Sequence, residues 1–342
     1  MHPVSMLITL EPGANRHNVL KTLREVIVNA QNLASSQGGG RELRIDYLTW
    51  VNATRARLRG QISSADLDRL VTTPRYITVL SMQIPEPVMK AQPNPFGGGA
   101  HVQISGPNTA PIREMISLEI AEHIDHLTQA LTTLTGWTYL LDQRPGALVI
   151  ADSNVYCHHP DRLDEWNVGA DARVLPSQDV HMILPLAVLD ELDRQKDRGQ
   201  GAAATNARET IKLLDGLLPN GVIRPRGNAP ENPAFPRGAI SIDLWPDPPG
   251  HVRLPRTDDE VIARAVAFQA LAGRKVKLLT GDIGMSTRAR MVGLEAIRLD
   301  LPDATHKPKR PPRGTQHPAL KNTSGDGQSV GSAAAAGGDG TG

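Results

Sequence analysis

Four carboxylates, Asp152, Glu191, Asp259 and Asp282, stand where acidic side chains can act together. Asp152 directly follows the apolar run Ala147-Leu-Val-Ile-Ala151, and Asp282 follows Val276-Lys-Leu-Leu-Thr280 after one glycine. Glu191 lies in a helical stretch after Met182-Ile-Leu-Pro-Leu, and Asp259 opens another helical stretch, over 258–272. In open parallel sheets, ligands bind beyond the carboxyl ends of the strands, and Asp152 and Asp282 both sit at such ends. Grouped carboxylates repel one another and are costly to desolvate, and a hard divalent cation offsets both effects. Oxygen ligands without His or Cys favour Mg²⁺ or Mn²⁺ over zinc. Such ions activate water and stabilise a phosphodiester transition state. Taken singly, each acid has an ordinary explanation, since Asp at a strand end is commonly a turn or cap residue. Their joint placement is what points to metal chemistry.

The elements that must position these acids read as alternating strands and helices. Run 147–151 is short and continuously apolar, as in a buried parallel strand; 276–280 is a second buried-strand candidate and 294–299 a third. Helical patterns over 188–198, 202–218 and 258–272 alternate with them. That alternation argues for an α/β fold with a central parallel sheet. Residues 219–255 are rich in Pro, Gly and Asn and read as a long insertion.

The first part of the chain reads as mainly helical over 1–84. Val19, Leu20, Leu23, Val26, Ile27, Ala30 and Leu33 recur at helical spacing behind the candidate cap Asn15. A second helix is expected from 42 to 58, a short one after Ser64, and a strand over Tyr76-Ile-Thr-Val-Leu80. Residues 85–111, with Gly97-Gly98-Gly99, read as a linker or long loop, and 112–145 as a long helix leading into the next domain. The low-complexity stretch 302–342 reads as a disordered tail.

The order of the acidic blocks carries a resemblance. Asp152-Ser-Asn-Val-Tyr-Cys-His-His-Pro160 resembles the opening of a PIN domain, where a strand ends in Asp, Thr or Ser, and Asn. Ile183-Leu-Pro-Leu-Ala-Val-Leu-Asp-Glu-Leu-Asp-Arg194 resembles the second block, with Glu191 as its inward acid. Asp258-Asp-Glu-Val-Ile-Ala263 resembles the third, with Asp259 the better match and Asp258 the runner-up. Leu278-Leu-Thr-Gly-Asp282 followed by Ser286-Thr-Arg-Ala289 resembles the fourth, and Gly293-Leu-Glu-Ala the closing strand. The resemblance spans 146–301 and implies a three-layer PIN-like fold with a central parallel sheet. It also implies a ribonuclease, an endonuclease hydrolysing phosphodiester bonds of RNA with Mg²⁺ or Mn²⁺ held by Asp152, Glu191, Asp259 and Asp282. Ser153 would orient water or Asp152, Asn154 would pin the turn, and Thr280 would assist at the phosphate. Asp190 and Asp193 should face away from Glu191, because residues one or two apart do not share a helix face.

A nuclease needs cations for the phosphates. Arg208 and Arg288 are the leading candidates, with Arg194 and Lys212 next; each is equally a solvated surface residue. The whole chain carries a formal net charge of only +1, which excludes a strongly basic histone-like footprint. A single cysteine, Cys157, excludes an internal disulfide framework and a Cys-rich zinc site, and it points to a reducing cytoplasmic compartment. No signal peptide or membrane-spanning run is expected. The expected partner is RNA, single-stranded by preference, and residues 1–140 leave a protein partner or a homo-oligomer open. Two alternatives stand beside the nuclease: a non-catalytic PIN-fold module for RNA binding or assembly, and a toxin-like nuclease controlled by a partner. A haloacid-dehalogenase type of phosphotransferase would want a second Asp where Asn154 stands.

Overall fold

The computed structural model describes residues 6–84, 88–93, 100–105, 108–198, 201–217, 222–223 and 238–302. The tail expected to be disordered lies almost wholly outside these residues, as does most of 219–237. Four helices come first: α1 (Arg16–Ala34), α2 (Gly40–Leu58), α3 (Ser64–Leu70) and α4 (Pro74–Ser81). Strands β1 (Val88–Pro93) and β2 (Ala100–Ser105) follow, then the long helix α5 (Ala110–Gln143). The remainder alternates: β3 (Ala147–Ala151), α6 (Ser153–His158), α7 (Val168–Asp171), β4 (Val180–Pro185), α8 (Leu186–Arg198) and α9 (Ala202–Leu217). It closes with β5 (Val222–Ile223), β6 (Ile240–Trp245), α10 (Thr257–Ala272), β7 (Val276–Thr280), α11 (Ile283–Met291) and β8 (Glu295–Arg298).

Five parallel strands form the central sheet in the order β6-β4-β3-β7-β8, and the two-residue β5 adds antiparallel to the β6 edge. Helices flank the sheet. Every residue of β4 is buried, as a central parallel strand requires. β3 and β7 are direct neighbours, so the strands that end before Asp152 and Asp282 lie side by side.

Three sequence expectations change. The strand expected at Tyr76–Leu80 is helix α4. The Thr73 hydroxyl accepts from the Tyr76 N–H at 3.1 Å, and Pro74 occupies the first turn. A good cap with proline behind it overrides the β preference of Tyr, Ile, Thr and Val. The linker or loop at 85–111 contains the antiparallel pair β1 and β2. Within 219–255, residues 240–245 are a strand of the central sheet rather than an insertion. Ile240, Ile242 and Trp245 point inward while Ser241 and Asp243 are only half-buried, so the strand's period of two sits among turn-forming residues.

Aromatic residues are scarce, yet they sit at the joints. The Trp245 ring of β6 lies edge-on to Trp137 of α5 at 4.8 Å and to Phe268 of α10 at 4.9 Å. Helix α5 also packs along α1 and α2, so one contiguous core runs from the N-terminal helices into the sheet. Among these helices, Glu119 of α5 is buried against Thr73, Arg75, Tyr47 and His123. Burial alone would raise its carboxyl pKa, but these partners outweigh that and hold it at about 2.

His181 of β4 is buried, with Nδ1 2.7 Å from the Ser241 hydroxyl and Nε2 3.3 Å from Asp243. Burial, with Arg144 and Arg274 nearby, pushes its pKa down to about 3. It is therefore neutral at pH 7, with one nitrogen donating and the other accepting. The unfolded chain takes up this proton first as pH falls, so the stability contribution present above pH 6.5 is lost progressively towards pH 3. His181→Gln should flatten the decline of unfolding free energy by up to about 1.4 kcal/mol per pH unit in that window, read by urea denaturation at several pH values. An unchanged slope would place the acid sensitivity elsewhere.

Candidate active site

Asp152 leaves β3 and becomes the residue before α6, buried to 2% exposure. Its Oδ1 accepts from the Ser153 hydroxyl and its Oδ2 from the Thr280 hydroxyl, both at 3.2 Å. Its N–H bonds the Leu279 carbonyl at 2.9 Å, so the backbone is pinned to β7 as well. Burial, and next the charge of Asp258, raise its carboxyl pKa; the Ser153 and Thr280 hydrogen bonds oppose this only in part.

Thr280 ends β7 with no exposed surface. Its hydroxyl oxygen also accepts from the Asp282 N–H at 3.1 Å. One buried threonine thus sets both Asp152 and the turn that carries Asp282. Asp282 is exposed and caps α11, with Oδ1 accepting from the Met285 N–H at 2.6 Å. Asn154 is exposed on the first turn of α6, and among the described residues its side chain makes no hydrogen bond. The turn is held by Ser153 and Thr280 rather than by Asn154.

Glu191 lies on α8, which packs against α6. The charges of Asp152 and Glu191 both act on the buried Cys157 thiol, which burial first of all pushes up to about 11. Glu191 is paired with Arg194 at 2.7 Å. As expected, Asp190 and Asp193 point elsewhere, to Arg253 and Lys196.

Asp258 and Asp259 open α10, where acidic residues also suit the helix dipole. The Asp258 charge adds to burial in raising the Asp152 pKa, so the runner-up of the sequence match bears on the buried acid. Arg288 of α11 reaches both, with Nη2 3.0 Å from Asp258 and Nε 2.8 Å from Asp259. Arg256, not singled out in the sequence, lies 4.0 Å and 3.8 Å from the same two carboxylates. Its position just ahead of two consecutive acids was the available signal.

The other cations spread outward from the site. Arg208 of α9 is exposed and bonds the Lys196 carbonyl at 3.2 Å, and Lys212 is exposed one turn further on. Beside α8 lies a cleft of about 470 Å³ lined by Asp190, Arg194, Arg253, Thr257 and Glu260 among others.

Asp247, His251 and Glu260 form a separate group whose ligand-type atoms lie within 4.8 Å of one another. His251 Nε2 is 2.7 Å from Glu260 Oε1, and Arg253 Nε donates to Asp247 at 2.8 Å. Arg264 stands 3.7 Å from the same aspartate. Two guanidinium groups already supply positive charge there, and the group fastens the segment before α10 onto that helix.

The fold agrees with the sequence comparison. Residues 149–300 match the PIN domain family. This part of the chain is a PIN domain. PIN domains are generally nucleases that use divalent metal ions. Among solved structures, the PIN domain is similar to a domain of a functionally unknown protein from Methanocaldococcus jannaschii DSM 2661. That likeness is 18% identical and covers 45% of this chain and 91% of that one, with a TM-score of 0.28. No curated protein matches the chain. Among the described residues, no helix is long and apolar enough to cross a membrane.

The donor set of this PIN domain suits a hard divalent ion. Asp152, Glu191, Asp258, Asp259 and Asp282 offer carboxylate oxygens with neither His nor thiolate among them, which fits Mg²⁺ or Mn²⁺. Burial and the Asp258 charge disfavour the ionised form of Asp152, and a bound cation would favour it.

Proposed function

We propose that the chain is a metal-dependent endoribonuclease that hydrolyses phosphodiester bonds of single-stranded RNA in the cytoplasm. The observation that supports this reading is the side-by-side placement of Asp152 and Asp282 at the ends of the paired strands β3 and β7, joined through the Thr280 hydroxyl. The Asp258 charge bears on Asp152, and the charges of Asp152 and Glu191 both bear on Cys157. Asp152, Glu191, Asp282 and the Asp258–Asp259 pair would hold the metal. Bound there, Mg²⁺ or Mn²⁺ supplies Lewis acidity towards water and the scissile phosphate. Thr280 and Ser153 hold the Asp152 carboxylate in one orientation, and the fully buried Thr280 hydroxyl keeps water from that side. Arg194, Arg208 and Lys212 border α8 and α9 and would meet the backbone phosphates. The lone, buried cysteine supports a reducing compartment.

The test uses the full chain with a labelled single-stranded RNA. Cleavage should require Mn²⁺ or Mg²⁺ and stop in EDTA, and millimolar metal should raise the melting temperature by ligand linkage. Neither cleavage nor a thermal shift would favour a non-catalytic RNA-binding module.

A further inference from the structure

Arg288 occupies a position that neither phosphate binding nor stability alone explains. Its guanidinium spans Asp258 and Asp259, the two carboxylates that open α10. It also lies along the first turn of α11 beside Asp282. A Cβ placed on Gly284 would come within 3.1 Å of Asp282 Oδ1 and 3.2 Å of Arg288 Nη1. Glycine there leaves room for the guanidinium and the Asp282 carboxylate to flank one gap. The arginine thus touches or borders acids from two elements.

We propose that Arg288 stands in for the divalent cation in the metal-free protein, and that metal binding displaces it onto a phosphate of the RNA. This inference rests on the metal-dependent reading of the site. A guanidinium and a divalent ion cannot both sit among the same carboxylates, because like charges at contact distance repel strongly. The arginine is also held in a way that permits release. Its side chain is one-third exposed, and the Nε contact to Asp259 is close in distance but lacks hydrogen-bond alignment. Once free, a guanidinium binds a phosphate through two parallel hydrogen bonds, which an ammonium cannot reproduce. One side chain would then keep the empty site from repelling itself apart and deliver a substrate contact only when the metal is in place.

The test separates metal binding from RNA binding. Free Mn²⁺ is counted by electron paramagnetic resonance in titrations of wild type, Arg288→Ala and Arg288→Lys, without RNA. Arg288→Ala should bind Mn²⁺ about tenfold or more tighter, since it loses a charged competitor of ordinary strength. Arg288→Lys, which keeps the charge, should stay near wild type. In Mn²⁺ the KM for RNA should rise about tenfold in both variants, because the bidentate contact is lost. RNA affinity in EDTA should be the same in all three proteins, as the arginine is then engaged with the acids. Equal Mn²⁺ affinity for wild type and Arg288→Ala overturns the inference. So does a KM unchanged by either substitution, and Arg288→Lys carries this second arm should Arg288→Ala fail to fold. Absence of Mn²⁺ binding by wild type would instead count against the metal-dependent reading itself.

Discussion

Asp152→Asn should lower metal-dependent RNA cleavage by roughly a thousandfold or more, because metal Lewis acidity is worth several kcal/mol at the transition state. The same substitution should raise the melting temperature of the metal-free protein. Asp152 is buried beside Asp258, and its ionised form is opposed first by desolvation and then by that neighbour. Neutral Asn keeps the shape and can still meet the Ser153 and Thr280 hydroxyls, which rotate to suit. Replacing a carboxyl whose ionised form is opposed with a neutral amide should therefore raise, not lower, the melting temperature of the metal-free fold. With saturating Mn²⁺ the order should reverse, because wild type gains stability by binding and the variant does not. Thermal melts of both proteins in EDTA and in Mn²⁺, run beside the cleavage assay, read all of these effects. A variant that is less stable than wild type in EDTA would contradict the account of a charge held against its surroundings.

Trp245→Ala should be the most damaging single change to the fold. Trp245 is 2% exposed and joins β6 to α5 through Trp137 and to α10 through Phe268. The Arg264 guanidinium also lies 5.4 Å from its ring centre and donates to the neighbouring Pro246 carbonyl at 3.0 Å. Truncating a buried tryptophan costs about 3–5 kcal/mol, a large part of the stability of an ordinary domain. Trp245→Phe should cost less, because it keeps an aromatic ring at the joint and removes an indole N–H that has no partner among the described residues. Because the triad couples α5 to the sheet, denaturant unfolding followed by circular dichroism should remain a single transition that moves to lower denaturant. Separate melting of the N-terminal helices would show that the aromatic joint does not couple them to the sheet.

How much of this was legible beforehand differs by element. The strands β3 and β7 and the acids that follow them were readable, because a buried parallel strand is a continuous apolar run and its end is abrupt. Strand β6 was not. Its Ile-Ser-Ile-Asp-Leu-Trp pattern alternates, and it lies between stretches full of proline and glycine that speak of turns. Helix α4 was missed for a related reason. Four β-favouring residues stand in a row there, and only the Thr73 cap and Pro74 signal the turn that decides the matter. Within the site, spacing alone could not choose between Asp258 and Asp259, since adjacent residues at a helix start differ in direction rather than in sequence logic. The buried position of Thr280 was equally hidden. A threonine at a strand end can face either a ligand or the neighbouring strand, and only the pairing of β3 with β7 turns it onto Asp152.

The most direct test of the metal-dependent endonuclease uses a circular single-stranded RNA, which has no ends for an exonuclease. Wild type with Mn²⁺ should linearise it, while wild type in EDTA and Asp152→Asn in Mn²⁺ should leave the circle intact. Linearisation by Asp152→Asn at the wild-type rate, or an intact circle with wild type in Mn²⁺, would contradict the account.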